Sequence, residues 1–178
     1  SGLWDDGSSN STYTFICEWD SRAAVGQINY DNFYKRIYSA QDLMYINSVG
    51  ESWGGIGDAF LMRDVDMTDV VWTSIDFAGT LDGNGYTIRN LTVSGSESTV
   101  AMFSTLTGTL KNICFENLTI ISDTERTSSK CGLVGYLNGG TVDGVKILSG
   151  NIISTWAETG AIVGQATSNA SILNCENH

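Results

Sequence analysis

Carboxylates are the side chains in this sequence best placed to do chemistry. Cleaving a polysaccharide takes an acid and a base held on either side of one bond. Three acids fall inside or beside a recurring sequence unit: Glu116, Asp143 and Glu176. Counted from the first residue of their units they stand six, one and four places on, so register does not gather them into a patch. Asp64, Asp66 and Asp69 suggest calcium, but an EF-hand loop needs Gly at its sixth position, where Asp69 stands. Asp82 opens an Asp-Gly-Asn-Gly turn and is suited to hydrogen-bonding its own backbone. The one histidine, His178, leaves no basis for a Ser-His or Cys-His nucleophile or a histidine-built zinc site. Cys17, Cys114, Cys131 and Cys175 lack a Cys-x-x-Cys spacing, which argues against structural zinc, and allow three pairings if all are oxidised. Trp53, Trp72, Tyr136 and Trp156 are stacking candidates for a sugar if exposed, and core residues if not.

These residues sit in a chain of 178, enough for one compact core. Nine Lys and Arg against 20 Asp and Glu give a net charge of −11. Thirteen of those acids and four of those bases fall in the first 82 positions, a balance that repels polyphosphate and disfavours nucleic-acid or anionic-membrane partners. No apolar run approaches the 18 or so residues of a membrane span, and no basic segment precedes an apolar stretch as in a signal peptide. Twenty glycines, no proline and many Val, Ile, Thr and aromatic residues favour short strands joined by turns that need positive φ.

Residues 1–20 read as a small β unit, with Tyr13, Phe15, Cys17 and Trp19 alternating after a Gly/Ser/Asn-rich turn. Residues 21–36 show no period and read as a linker. A helix is expected over 40–49: Ser39 can cap it, Asp42 follows at capping-box spacing, Leu43 and Ile46 form an apolar stripe, and Gly50 supplies a stop. Strands are expected at 59–62, 70–75 and 87–93, with a tight turn at 82–85.

From Ile88 onward the sequence repeats. The unit is apolar, any, Asn or Gly, apolar, any, apolar: Ile88 to Val93, Leu110 to Phe115, Val142 to Ile147 and Ile172 to Asn177. A straight strand points alternate residues to one face, so apolar residues three apart with Asn or Gly between them imply a bend. Asn and Gly tolerate the left-handed conformation that such a bend needs. The chain is expected to turn corners at Asn90, Asn112, Gly144 and Asn174 and to stack parallel coils, with Ile88, Leu110, Val142 and Ile172 in one inward column.

The segment 77–91, Phe-Ala-Gly-Thr-Leu-Asp-Gly-Asn-Gly-Tyr-Thr-Ile-Arg-Asn-Leu, with Gly132-Leu133-Val134-Gly135-Tyr136 and Gly160-Ala161-Ile162-Val163-Gly164, resembles the GLUG-motif repeats of bacterial secreted and surface proteins. The resemblance covers about residues 37–178 and implies a right-handed β-helix with a lead-in helix and strand. Residues 1–20, with Gly2-Leu3-Trp4-Asp5-Asp6-Gly7 and Phe15-Ile16-Cys17-Glu18-Trp19, resemble the end of a C-type lectin-like domain. That resemblance implies calcium ligands at Asp5 and Asp6, the first a departure from the family's Asn, and an upstream partner for Cys17. Calcium takes six to eight oxygens, so those two carboxylates without the rest of a lectin-like domain bind it weakly or not at all.

The fold expected is all-β, a right-handed parallel β-helix with one short capping helix. The divisions expected are a lectin-like end (1–20), a linker (21–36) and a GLUG-type solenoid (37–178) cut short at its C-terminal end, with an open edge. The function expected is a non-catalytic structural or adhesive module of a modular bacterial protein, extracellular or at the cell surface. Its expected partners are glycans or host and cell-surface proteins, with no nucleic acid, no membrane insertion and no cofactor of its own. The alternatives are a carbohydrate-binding module using the four aromatics above and a polysaccharide-degrading β-helix enzyme. The Asn-x-Ser/Thr triplets at Asn10, Asn90, Asn117 and Asn169 would be glycan acceptors in a eukaryotic secretory pathway, but two coincide with the repeat and read as repeat chemistry.

Overall fold

The structure is a computed structural model and describes residues 35–49, 58–123, 128–155 and 157–178. The expectations for residues 1–20, including Asp5, Asp6, Asn10 and Cys17, for the linker up to residue 34, and for Trp53 and Trp156 lie outside them.

The described residues form a parallel β-solenoid with one helix among them. A first rung, β1 (Lys35–Ile37), leads into α1 (Ala40–Val49), so Lys35 and Arg36, read from the sequence as linker, already belong to the fold. The next coil holds β2 (Ala59–Leu61), β3 (Val65–Asp66), β4 (Val71–Trp72) and β5 (Ile75–Phe77). Above it lie β6 (Thr80–Asp82), β7 (Thr87–Arg89), β8 (Thr92–Gly95) and β9 (Thr99–Leu106). A third coil has β10 (Thr109–Glu116), β11 (Leu118–Ser122) and β12 (Lys130–Leu137). The fourth has β13 (Thr141–Ile147), β14 (Gly150–Ser154), β15 (Glu158–Thr159) and β16 (Val163–Ala166), and β17 (Ser171–Leu173) with β18 (Glu176–Asn177) begins a fifth. Three sheets run up the stack. The first is built on β1-β2-β6-β10-β13-β17 with β3, β7 and β18 alongside, the second is β4-β8-β11-β14, and the third is β5-β9-β12-β15 with β16. Every pairing among the described strands is parallel, as in β10 on β13, where Leu110 meets Val142 and Phe115 meets Ile147.

The corners fall where the repeat places them. Asn90, Asn112, Gly144 and Asn174 have φ of 58°, 51°, 64° and 51°, the left-handed region that Asn and Gly tolerate. The apolar residues on both sides of each corner then face inward, and the coils stack them. One column is Trp72, Val93, Ile120 and Ile152. Another is Ile75, Phe103, Val134 and Val163, beside which the Phe77 and Phe103 rings stack at 4.9 Å. Close approach explains the glycines of the Gly-Leu-Val-Gly repeat. A Cβ on Gly132 would collide with the Gly160 carbonyl of the next coil, and one on Gly135 with the Thr99 side chain of the coil below.

The expected inward column needs correction at one member. Leu110, Val142 and Ile172 do stack, but the residue beneath Leu110 is Leu81. Ile88 stacks on Phe115 in the neighbouring column. The second coil replaces the single-residue corner of Asn112 with the four-residue turn 83–86, closed by the Tyr86 N–H on the Gly83 carbonyl at 2.8 Å, so the unit at Ile88 matches the following corner, Asn117, not Asn112. Ile172 is 48% exposed because no coil lies over it among the described residues. The strand expected at 70–75 is likewise two, β4 and β5, since Thr73 and Ser74 turn from the second sheet to the third.

Helix α1 has the expected bounds. Ser39 Oγ accepts the Asp42 N–H at 3.3 Å, and Asp42 Oδ2 accepts the Ser39 hydroxyl and the Tyr38 N–H, each at 3.0 Å. This is a capping box whose acid reaches one residue further back than usual. The helix packs on β1, and Leu43 and Ile46 join the same buried cluster as Ile37 and Leu61, giving the first rung's end of the core an apolar cover. Leu43→Ala is therefore expected to cost about 2–4 kcal/mol of unfolding free energy. Leu173→Ala, on the half-exposed last rung, should cost well under half of that, and equal losses in denaturant titrations would show that α1 is not a cap.

Candidate functional site

The outer face of the first sheet carries the acids that the sequence singles out, and stacking sets each against a partner one coil away. Asp66, Arg89 and Glu116 form one column. Arg89 bridges it, with Nε 2.7 Å from Glu116 Oε2 and Nη2 2.9 Å from Asp64 Oδ2. Asp82, Lys111 and Asp143 form a second column, with Lys111 Nζ 3.2 Å from Asp82 Oδ2. Asp143 accepts the Asn174 amide at 2.8 Å, and Glu176 takes Lys146 at 3.1 Å. So Glu116, Asp143 and Glu176 stand in three separate columns, each tied to a neighbouring coil.

Asp64 and Asp66 serve the same ladder. Asp64 Oδ1 accepts the Thr87 N–H at 2.9 Å. Asp66 Oδ1 accepts the Thr68 N–H and hydroxyl at 2.9 and 2.7 Å and the Asn90 amide at 2.8 Å. Asn117 in turn donates its amide to Asn90 Oδ1 at 2.8 Å, so these two sequon asparagines spend their amides on the ladder. Asp69 occupies a left-handed position, φ 60°. Among the described residues no group of three or more His, Cys, Asp or Glu is placed to hold a metal.

Hydrogen bonding depresses these carboxyls. The Thr68 hydroxyl, the Asn90 amide and the Thr68 N–H bring Asp66 down to about 2. Asp64 is lowered chiefly by the Thr87 N–H, and Glu176 by Lys146 and then His178. At Asp82 burial opposes ionisation, and the Asn84 N–H, the Asn112 amide and Lys111 together outweigh it. The Asn84 N–H meets Asp82 Oδ1 at 2.9 Å, which is the turn role read from the sequence.

The two described aromatic candidates, Trp72 and Tyr136, lie on different sheets. Trp72 is 2% exposed and its indole N–H donates to the Met102 carbonyl at 2.8 Å, so its ring faces are spent on the core. Tyr136 lies on the third sheet, half-buried, with the Lys130 ammonium 5.4 Å from its ring centroid. Cys114, Cys131 and Cys175 are free thiols. Burial pushes Cys131 up to about 11, and Cys175 packs against the core as its place in the repeat implies.

Sequence reasoning missed a groove. Where the second sheet hands over to the third, a cavity of about 400 Å³ opens across the second and third rungs, with Asp76, Glu97 and the hydroxyls of Ser74, Ser98, Thr99 and Ser104 among its lining. These residues are spread over thirty positions with no local spacing, and only the coil register brings them together. Ser104 donates to Asp76 Oδ1 at 2.5 Å, and Ser74 Oγ accepts the Ala101 N–H at 3.0 Å.

No protein-family model matches the chain. Over 141 residues it is 31% identical to halomucin from Haloquadratum walsbyi (strain DSM 16790 / HBSQ001), a match that takes in 77% of this chain and 1% of that protein. The chain therefore spans a very small fraction of a very long relative. In three dimensions it is similar to a crystal structure from Bacteroides ovatus whose designation as an immunoglobulin A1 protease is provisional. The TM-score is 0.56 at 19% identity, over 80% of this chain and 56% of the other. The likeness is one of fold. Among the described residues no helix is long and apolar enough to cross a membrane.

A lowered carboxyl stabilises the folded chain above its unfolded pKa and loses that contribution as pH falls through the folded value. For Asp66 this window runs from 3.8 down to about 2, and Asp64, Asp82 and Glu176 shift in the same direction. The melting temperature is expected to fall across that window, and Asp66→Ala to make the fall shallower. A wild-type profile that is flat there would contradict the ladder.

Proposed function

We propose that this chain is a non-catalytic structural or adhesive module of a modular secreted or cell-surface protein. One observation carries the reading: the carboxylates of the first sheet's outer face, where the repeat sets acids one coil apart, are used as ties between coils, each with a cation or amide from a neighbouring rung. A general acid must hold a proton to give to substrate, and Asp64, Asp66, Asp82 and Glu176, whose carboxyl pKa values their partners lower, are not suited to that. The match to a short window of a very long protein supports placement as one segment among many. The resemblances to GLUG repeats and to a lectin-like ending, with divisions at 1–20, 21–36 and 37–178, support a bacterial extracellular setting and glycans or surface proteins as partners.

A carbohydrate-binding role is the second reading, favoured by the hydroxyl-lined groove. The test of the first is to incubate the whole chain with a panel of plant, bacterial and animal polysaccharides and with immunoglobulin A1. No new reducing ends, unsaturated products or heavy-chain fragments are expected. Turnover that disappears on replacing any one acid of the chain would make it an enzyme.

A further inference from the structure

We propose that the groove between the second and third sheets binds a neutral oligosaccharide. This rests on the adhesive reading and gives it a site and a ligand class. The volume, about 400 Å³, is in the range of small-ligand sites, and a register irregularity shapes it. Ile75 pairs with Phe103 but Asp76 pairs with Thr105, so Ser104 is an extra residue bulged over Asp76. Bulges of this kind re-aim side chains, and here Ser104 fixes one oxygen of Asp76. The other carboxylate oxygen has no hydrogen bond among the described residues and can accept from a sugar hydroxyl.

The remaining lining selects the ligand class. Main-chain groups around the groove are already paired: the Ala101 N–H with Ser74, the Lys130 N–H with the Ser98 carbonyl and the Asp123 N–H with the Gly95 carbonyl. β4 and β5 are the outer strands of their sheets, so an added peptide strand is the competing occupant and the peptide arm of the test below reads it; a glycan needs only side-chain donors and acceptors, which the hydroxyl and carboxylate lining supplies. No Lys, Arg or His lines the groove, and Asp76 and Glu97 do, so uronic, sulfated or phosphorylated chains are repelled. Val71, 80% exposed at the rim, offers an apolar patch for the C–H face of a ring.

The test is a titration of the whole chain, followed by backbone amide NMR. The probes are neutral gluco-, manno- and xylo-oligosaccharides, an oligogalacturonate of matched length, an oligolysine peptide and calcium chloride. At least one neutral oligosaccharide is expected to shift amides of residues 71–76 and 94–105 saturably, with the charged probes silent there. Asp76→Ala, at an exposed position, should weaken binding at least about tenfold. Gly95→Leu should abolish binding without lowering the melting temperature, since a Cβ there meets only Val100 Cγ2 at 3.9 Å. The proposal is overturned if no neutral oligosaccharide binds, if binding survives both substitutions, or if only peptide or calcium shifts these amides. A silent titration would leave the non-catalytic reading standing, because the degradation assays read bond cleavage and not binding.

Discussion

Each coil of this solenoid depends on one backbone conformation adopted at its corners. A strand that continued straight through Asn112 would put Ile113 on the solvent face, because side chains alternate. The left-handed residue re-phases the alternation, so that Leu110, Ile113 and Phe115 are all fully buried. The same corner is made by Gly144 and Asn174 in the coils above, and stacking follows: once the inward residues repeat, successive coils bury one another's apolar surface and satisfy one another's backbone. The asparagine side chain adds a tie. Asn112 donates to Asp82 at 3.3 Å and Asn174 to Asp143 at 2.8 Å, linking each corner to the coil below.

The charged face obeys the same register. With a net charge of −11, columns of like-charged carboxylates one rung apart would repel. The sequence interleaves its few cations between them, placing Arg89 between Asp66 and Glu116 and Lys111 between Asp82 and Asp143. The Arg89 pairs are half-exposed and each is worth little alone, while Lys111 reaches an Asp82 that is itself buried. Their consequence is specificity of register: slipping one coil against the next would take Lys111 off Asp82 and Asp143 and Arg89 off Glu116. The same alternation ties the outer face of the first sheet to structure.

Legibility in the sequence followed how local each signal is. The corners at Asn90, Asn112, Gly144 and Asn174 and the cap at Ser39 and Asp42 were readable because each is written within a few residues. The place of Ile88 was not, because the turn 83–86 does the work of a single corner residue and moves the repeat by one corner. Nor was the burial of Trp72, since residue type does not say which face a two-residue strand presents. The groove is the least local feature: Ser74, Asp76, Ser98 and Ser104 meet only after β4, β5, β8 and β9 have taken their registers, and a one-residue bulge at Ser104 sets the final geometry.

The corner conformation can be tested alone by comparing the unfolding free energies of Asn112→Gly and Asn112→Val in denaturant titrations. Both substitutions remove the amide tie to Asp82, and they differ in whether φ of 51° is tolerated. Glycine, which the next coil already uses at Gly144, should be the milder change despite its unfolded-state entropy, and valine should be less stable than glycine by at least about 1–2 kcal/mol. A valine variant as stable as the glycine variant, or more so, would mean that the corner does not require the left-handed conformation and would contradict the account of how the coils form.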